Sequence, residues 1–437
     1  MLSLLTLHND IIKYLSTYLS FNSRVRMKQT CHFLNNLIVI DDLWHIPFIV
    51  PLSPKDIVNK QDIRYLRADN SLTTLGHLPN LKALYVCNDN IGDDDIKNLN
   101  LEELWLDVSK IQSIGHMTNL KHLICWKDAL IESQTLANFS LETLVYQINK
   151  PLQSIRHMSN LRILNCKYSL ISSDDLKCLN LRKLICSYTN IINIPFMSNL
   201  RSLECGSNVS IHPDILPNLQ SLDISEGWEI FSDLKYCKNL MKLRFYGDLV
   251  AYEDLKYLNP QTLYLNDLEN RIDLNHMTNL RKLVISGSNA LDDAGVKDLN
   301  LHHLSLGESK IYQIGHMTRL EYLNCNQHPW HKYPKSKIDL GKLNLCVLLA
   351  NNNDRISSIR HMTNLRILDC SFFSNIVEED IEPLNLQIVI SKQNPNVAKR
   401  KLSREDKYKW NKLLYQNYMR SYLYKKEMKQ CKVNDYS

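Results

Sequence analysis

A short leucine pattern recurs along most of this chain and limits the possible folds more than any other feature. Sixteen segments align on "LxxL", starting between residues 81 and 386 at steps of 19 to 21 residues, apart from one step of 25. The second leucine is present in fifteen of the sixteen segments, and Val389 replaces it in the last. Side chains alternate along a strand, so the leucines of each segment point to one face. One segment cannot bury that face alone, which requires the copies to stack.

The spacing fits the L-x-x-L-x-L-x-x-N-x-L signature of leucine-rich repeats, which have a period of roughly 20–29 residues. We therefore predict an α/β fold, a leucine-rich-repeat solenoid over residues 62–391 with a parallel sheet on its concave face. It would contain about 16–17 units of roughly 20 residues. The ninth position of several copies carries Ser or Thr in place of Asn, as at Ser109 and Thr189. These hydroxyls can still hydrogen-bond to the backbone of the turn.

Histidine recurs in alternate repeats, and this raises the question of a metal site. "GHMTNLKHL" at 115–123 returns as "NHMTNLRKL" at 275, "GHMTRLEYL" at 315 and "RHMTNLRIL" at 360. Zinc needs its nitrogen ligands about 2.1 Å from a single ion. Strands about 4.8 Å apart would place histidines two repeats apart at a separation of roughly 10 Å. We interpret these histidines as supports for the segment that returns between strands, and we predict no metal.

The cysteines and the missing motifs indicate a protein without catalytic activity. No C-x-x-C pair, phosphate-binding glycine-rich loop, G-x-S-x-G or H-E-x-x-H occurs in the sequence. We therefore predict neither an enzyme nor a cofactor. Six cysteines occupy the inward position of a strand, where a free thiol acts as a small apolar group. They are Cys125, Cys166, Cys186, Cys205, Cys325 and Cys370.

The sequence favours a cytoplasmic or nuclear protein without a membrane span. No apolar run reaches the roughly 18 residues that a spanning helix needs. The first residues lack a basic leader, and His8, Asn9 and Asp10 interrupt their apolar stretch, which is untypical of a signal peptide. The twelve cysteines are then most simply reduced thiols.

Residues 1–46 have the pattern of two or three short helices. Leu7, Ile11, Leu15 and Leu19 recur every four residues, and a second apolar series follows "SFNS". So short a segment encloses little core, and we expect it to pack on a partner. The stretch from "LTLHNDIIKYL" to "IDDLW" resembles an F-box in the order and spacing of its apolar residues, with His8 where that family has proline.

An F-box followed by leucine-rich repeats is a known pairing of domains. The resemblance implies that the first segment binds the Skp-type adaptor of a cullin-based ubiquitin ligase and that the repeats hold the target protein. The richness in Asn, Ile, Lys and Tyr also resembles the F-box repeat proteins of giant DNA viruses, which would place the protein in a host cell. We expect the adaptor to contact Leu7, Ile11, Ile12, Leu15 and Leu19.

Two other interpretations remain open. Residues 1–46 could instead be a helical cap that covers the first repeat, since solenoids require capped ends. The repeats could also sequester a partner protein without any link to ubiquitin. Residues 47–61 contain three prolines and are expected to form a stiff linker between the two modules.

The basic character of the chain belongs to its C-terminal tail. Residues 392–437 carry 13 basic and 4 acidic side chains, a net charge of +9, whereas residues 1–391 carry 39 and 42, a net charge of −3. Basic residues among aromatics could bind nucleic acid or an anionic membrane. We favour an amphipathic helix that caps the last repeat, so a nucleic-acid partner is not expected. Its apolar stripe is Trp410, Leu414, Tyr418 and Tyr422.

Target binding is predicted at outward-pointing positions of the strands. Residues one and three positions after the central leucine point away from the leucine face. On three consecutive strands these positions include large aromatic side chains and Ile124, and a second, more polar cluster lies further along. Trp and Tyr are enriched among the residues that dominate protein interfaces. The predicted target-binding residues are Tyr85, Trp105, Asp107, Trp126, Arg244, Tyr246 and Tyr264.

Overall fold

A computed structural model of the chain describes residues 65–68, 75 and 78–397, with gaps at 132, 148–154, 227–228, 248, 288–289, 308, 328–335, 357 and 373. The F-box-like segment, the linker and the tail from residue 398 onward lie outside the described residues. The chain divides into two compact units. Their described parts are residues 65–205 with 209–215, and residues 206–208 with 216–397.

The first unit is a stack of parallel strands, one from each repeat. Leu84 lies opposite Leu104, which lies opposite Leu123, and this register continues to Leu203. These leucines are at most 1% exposed. Strands β8 and β10 pair separately. The strands are β1 Tyr65–Ala68, β2 Ala83–Val86, β3 Glu103–Ser109, β4 His122–Ala129, β5 Thr143–Tyr146, β6 Ile163–Asn165, β7 Lys183–Ile185, β8 Asn193–Ile194, β9 Ser202–Gly206 and β10 Ser210–Ile211.

The second unit repeats this arrangement. Each of its strands pairs in parallel with the next one along the chain, and the central leucines from Leu222 to Leu368 are in register, with Val389 in the last strand. Stacked parallel strands with the leucines on one face confirm the predicted leucine-rich-repeat fold. The strands are β11 Ser221–Glu226, β12 Lys242–Tyr246, β13 Thr262–Asn266, β14 Lys282–Ser286, β15 His303–Ser305, β16 Tyr322–Asn324, β17 Val347–Leu349, β18 Ile367–Asp369 and β19 Ile388–Ile390.

Short helical turns lead the chain from one strand back to the next. Acidic side chains begin several of them, because a carboxylate on the third helical residue accepts the backbone N–H of the residue before the helix. Asp95 does so for Gly92 at 3.1 Å, and Asp175 for Ser172 at 3.1 Å. The α-helices are Asp93–Ile96, Ser173–Leu176, Tyr252–Leu255 and Glu378–Ile381; the 3₁₀-helices are Ser133–Asn138, Pro213–Asn218, Leu234–Tyr236 and Asp293–Gly295.

Three of the recurring histidines, His116, His157 and His276, bond to the helical turn of the preceding repeat. The Nε2 atom of His116 donates to the carbonyl of Ile96 at 3.0 Å, and that of His276 donates to the carbonyl of Leu255 at 2.9 Å. Both carbonyls belong to the last residue of a short helix, where no partner within the helix is available. The predicted supporting role of these histidines is confirmed. Among the described residues, no group of three His, Cys, Asp or Glu side chains could hold a metal.

Asparagine side chains join one version of the repeat to the other version that follows it. The Oδ1 atom of Asn100 accepts the backbone N–H of Asn119 at 3.0 Å, and its Nδ2 donates to Thr118 Oγ1 at 3.3 Å. A repeat with "LN" before its leucine therefore bonds to a following repeat with "TN" or "SN". The same pair of bonds recurs elsewhere, and sequence reasoning did not assign it. It joins Asn180 to Ser198 and Asn199, Asn259 to Thr278 and Asn279, and Asn344 to Thr363 and Asn364.

Polar side chains at the ninth repeat position bond to the turn, as predicted. The hydroxyl of Ser109 accepts the N–H of Ile111 at 3.1 Å. Asn353, which matches the asparagine of the signature, forms hydrogen bonds through both its side-chain oxygen and its side-chain nitrogen. Its Oδ1 accepts the N–H of Arg355 at 2.9 Å, and its Nδ2 donates to the carbonyl of Cys325 in the preceding repeat at 2.5 Å.

The six cysteines predicted at inward strand positions are all buried and free. Cys125 and Cys205 lie within strands, and the other four directly follow one. Several thiols donate to a carbonyl of the next strand: Cys166 to Ile185 at 3.5 Å, and Cys325 to Leu349 at 3.4 Å. Burial raises the pKa of each of these two thiols to about 12. The thiols therefore remain protonated and act as small core side chains.

Replacing Asn353 by alanine should destabilise the second unit. The change leaves two buried backbone groups without their partner, a loss of about 1–3 kcal/mol in the free energy of unfolding. The matched control is Asn364→Ala, because the Asn364 side chain is exposed, and a change of under about 0.5 kcal/mol is expected. Urea unfolding followed by circular dichroism measures both. Equal stability of the two variants would contradict the role given to Asn353.

Candidate binding face

We use the term open face for the side of each strand stack opposite the central leucines. It consists of the residues one position before, one position after and three positions after each central leucine. These side chains share one face because side chains alternate along a strand. The predicted target-binding residues of the strands lie on this face in both units. The open face differs in chemistry from strand to strand.

The open face of the first unit carries an apolar row that packs on itself. Tyr85, Trp105, Ile124 and Val145 lie opposite one another in β2 to β5, and we call them the tryptophan cluster. The rings of Tyr85 and Trp105 meet edge to face, with 6.0 Å between their centroids. Trp105 is only 8% exposed, Ile124 3% and Val145 0%.

This burial corrects one part of the sequence interpretation. Alternation placed Trp105 and Ile124 on the correct face, but both were expected to be exposed there. Strands stand only about 4.8 Å apart, so large neighbours in register cover one another. Trp126, two residues further along β4 than Ile124, is 41% exposed. Of the tryptophans in the predicted patch, Trp126 therefore offers the greater surface to a partner; Asp107 in β3 is partly exposed as well.

In the second unit, cations gather around one tyrosine ring. The Arg244 guanidinium lies 4.5 Å from the centroid of the Tyr264 ring, and the amines of Lys242 and Lys282 lie 5.5 and 5.6 Å from it. Arg244 Nη1 also lies 3.6 Å from Asp223 Oδ2, and both side chains are mostly buried, at 14% and 16% exposure. We call these five residues the cationic cluster.

The structure thus brings Arg244 and Tyr264 together, as the sequence suggested, and adds three residues that sequence reasoning missed. Lys242 and Lys282 stand one position before a central leucine, which the prediction did not consider, although that position also lies on the open face. Tyr246, the third predicted residue, lies opposite Asn266 and is partly exposed.

A stacked histidine and tyrosine follow the cationic cluster. His303 lies opposite Lys282 on one side and Tyr322 on the other. The rings of His303 and Tyr322 are nearly parallel, with centroids 3.9 Å apart and an angle of 4°. Burial, with a smaller contribution from the charge on Lys282, lowers the pKa of His303 to about 3. The imidazole is therefore neutral at physiological pH and adds no charge to the open face.

The last strands have an apolar open face. Leu349, Ile388 and Ile390 are buried there, and Tyr322, Val347 and Ile367 pack against them. Asp369 stands among these groups, and its carboxylate accepts the N–H of Ser371 at 3.1 Å. Burial raises the pKa of Asp369. The open face of the second unit therefore changes from charged at β11–β14 to apolar at β17–β19.

A second aromatic pair in the first unit was not predicted. The rings of Tyr168 and Tyr188 stack with centroids 5.0 Å apart, and the Lys167 amine lies 5.4 and 5.2 Å from them. Both tyrosines have left-handed backbones, with φ of 66° and 57°. They occupy the same repeat position, four residues after a central leucine, where the second unit has Gly247 and Gly287 with φ of 51° and 63°. Equal spacing from the leucine is the signal that could have revealed the pair.

The predicted adaptor-binding residues, Leu7, Ile11, Ile12, Leu15 and Leu19, lie outside the described residues. Their role stays a prediction from the sequence. In the described part of the chain, no helix has the length and apolar character needed to cross a membrane.

Comparisons with known proteins return structural similarities only. No protein-family model matches the sequence, and no curated protein matches it. The solved structures include a functional domain of InlJ from Listeria monocytogenes, with 18% identity, 68% of this chain and 70% of that chain covered, and a TM-score of 0.37. TLR13 in its complex with ssRNA13 is 19% identical, with 72% of this chain and 56% of that chain covered and a TM-score of 0.48. A leucine-rich-repeat protein of Leptospira interrogans is 18% identical, with 78% of this chain and 100% of that chain covered and a TM-score of 0.42. With these TM-scores, the fold assignment rests on the strand register and repeat pattern of this chain.

The buried His303 should make the second unit less stable in acid. The unfolded chain protonates this residue near its ordinary pKa of 6.5, whereas the folded protein does not until about pH 3. The contribution of neutral His303 to the free energy of unfolding is thus fully present above pH 6.5. It is lost as the pH falls, by about 2 kcal/mol between pH 7 and pH 5. His303→Phe retains an aromatic ring without this titration. Urea unfolding at both pH values should show the wild type losing more stability than the variant; equal losses would contradict the assignment.

Proposed function

We propose that this protein is a non-catalytic binding protein whose repeats hold a target protein on the open face. The observation that carries the proposal is the exposed Trp126 beside the closely packed tryptophan cluster. Exposed tryptophan surface of this kind typically marks a contact site, since Trp and Tyr dominate the binding energy of many interfaces.

The packing around Trp126 supports this proposal physically. Trp105 and Ile124 are buried against their neighbours, so the apolar row is already ordered before any partner binds. A surface that is ordered in advance loses less conformational entropy on association. The strand stack beneath it is fixed by leucines and inter-repeat hydrogen bonds, which makes the open face a rigid support for recognition.

We further propose that the protein is the substrate-recognition subunit of a Skp–cullin–F-box-type ubiquitin ligase. Support comes from the sequence of residues 1–46, whose apolar residues follow the F-box pattern in order and spacing. In this arrangement the adaptor binds the N-terminal segment, and the open face presents the target for modification. The alternative is a repeat protein that sequesters its target without ubiquitin, and adaptor binding separates the two.

Removing the exposed tryptophan should weaken target capture. We expect Trp126→Ala to reduce the recovery of bound proteins about tenfold or more, because loss of a dominant interface residue costs roughly 2 kcal/mol. The matched control is Phe196→Ala, which removes another aromatic ring from the first unit. Phe196 is 52% exposed and lies outside the strands. Quantitative affinity purification measures recovery, and circular dichroism confirms folding. Unchanged recovery with Trp126→Ala would exclude the open face of the first unit as the target site.

Charges on the apolar stripe of the first helix should abolish adaptor binding. In the double variant Ile11→Asp, Leu15→Asp, two carboxylates would face an apolar partner, which costs several kcal/mol. The control is Asn9→Asp with Lys13→Asp, because these residues would lie about 200° from Ile11 around the predicted helix. Co-purification with a Skp-type adaptor is the measurement. Failure of the wild type to recover the adaptor would leave the sequestering alternative; recovery by the Ile11, Leu15 variant would contradict this placement of the interface.

A further inference from the structure

The cationic cluster is a local concentration of positive charge on an otherwise acidic body. On β11 to β14, Lys242, Arg244 and Lys282 stand on the open face together with Asp223. Residues 1–391 as a whole carry a net charge of −3. Three cations on neighbouring strands contrast with that acidic balance.

The strand register places two of these cations on either side of Thr262. Lys242, Thr262 and Lys282 lie side by side in neighbouring strands, so Thr262 separates two lysines whose backbones are roughly 10 Å apart. Both amines and the Arg244 guanidinium rest against the ring of Tyr264. Contacts between a cation and a ring restrict the positions of long basic side chains, which reduces the entropy lost when an anion binds.

We propose that the cationic cluster binds an acidic segment of the target protein, with a carboxylate entering above Thr262 between Lys242 and Lys282. This inference rests on the proposed target-binding function of the open face and names the chemistry that the second unit would recognise. Arg244 lies 3.6 Å from Asp223. Its role is to add positive potential beside Thr262, while Lys242 and Lys282 contact the carboxylate directly.

A protein segment fits this surface better than a nucleic acid. A nucleic acid presents a phosphate at every nucleotide, so its binding surfaces carry long rows of basic residues. Here the cations end at β14, and the face continues with the neutral His303 and then with Tyr322 and Val347. An acidic segment followed by apolar residues matches that sequence of surfaces.

Binding of a labelled peptide to the full-length protein tests the proposal. The probe is a fluorescent decapeptide with four glutamates followed by apolar residues, and its partner has glutamine in place of each glutamate. Fluorescence anisotropy should show the glutamate peptide binding about tenfold more tightly, with the difference shrinking as salt rises from about 50 to about 500 mM. Absence of measurable binding, or equal binding of the two peptides, would overturn the proposal.

Charge-matched variants locate the site. We expect Lys282→Gln to weaken binding of the glutamate peptide about fivefold or more, since it removes a direct contact without breaking the Arg244–Asp223 pair. Lys256→Gln removes the same charge from an exposed lysine on a return segment, and Lys425→Gln removes it from the basic tail. Both controls should bind as the wild type does. An equal loss in either control would show that net charge or the tail, not the cationic cluster, holds the peptide.

Two further measurements separate this inference from the proposed function. A labelled single-stranded oligonucleotide of ten thymidines should bind more weakly than the glutamate peptide, and tighter binding would reassign the cluster to nucleic acid. Trp126→Ala should bind the peptide normally, since Trp126 belongs to the first unit. If Lys282→Gln has no effect while Trp126→Ala still loses its targets, the acidic-segment inference fails and the proposed function stands.

Discussion

The contact between the central leucine of one strand and the leucine of the next is the interaction on which this structure depends. Leu104 is buried only because Leu84 and Leu123 lie on either side of it in register. No repeat has a core of its own, so the stability of each one is a property shared with its neighbours. The bonds from Asn100 and His116 cross the same boundary between repeats. They form only when the two neighbouring repeats are stacked, and they fix the alignment of one repeat on the next.

This arrangement separates the residues that build the fold from those that are available for recognition. The leucine positions cannot vary without opening a cavity, whereas the positions between them face outward and tolerate very different side chains. The tryptophan cluster, the cationic cluster and the apolar end at β17–β19 all stand on equivalent backbone. Each part of the open face can therefore change its chemistry without altering the strand beneath it.

The repeat period alone predicted the strands, the buried leucines and the inward cysteines, because each follows from a spacing that the sequence displays. Exposure within the open face could not be predicted in this way. Trp105 has Tyr85 and Ile124 beside it in register, whereas Trp126 lies where the register between β3 and β4 shifts. Lateral packing of this kind depends on neighbouring strands and not on one segment. The left-handed Tyr168 was missed because tyrosine rarely adopts that backbone.

The buried thiols give the array an internal set of chemical labels. A protonated thiol reacts slowly with alkylating reagents, because the thiolate is the nucleophile. Cys125 and Cys166 lie in the core of the first unit, and Cys325 and Cys370 lie in that of the second. Each can react only after its own strand separates from the stack. The order in which they are alkylated under native conditions would therefore record where the solenoid opens first and how far the opening spreads.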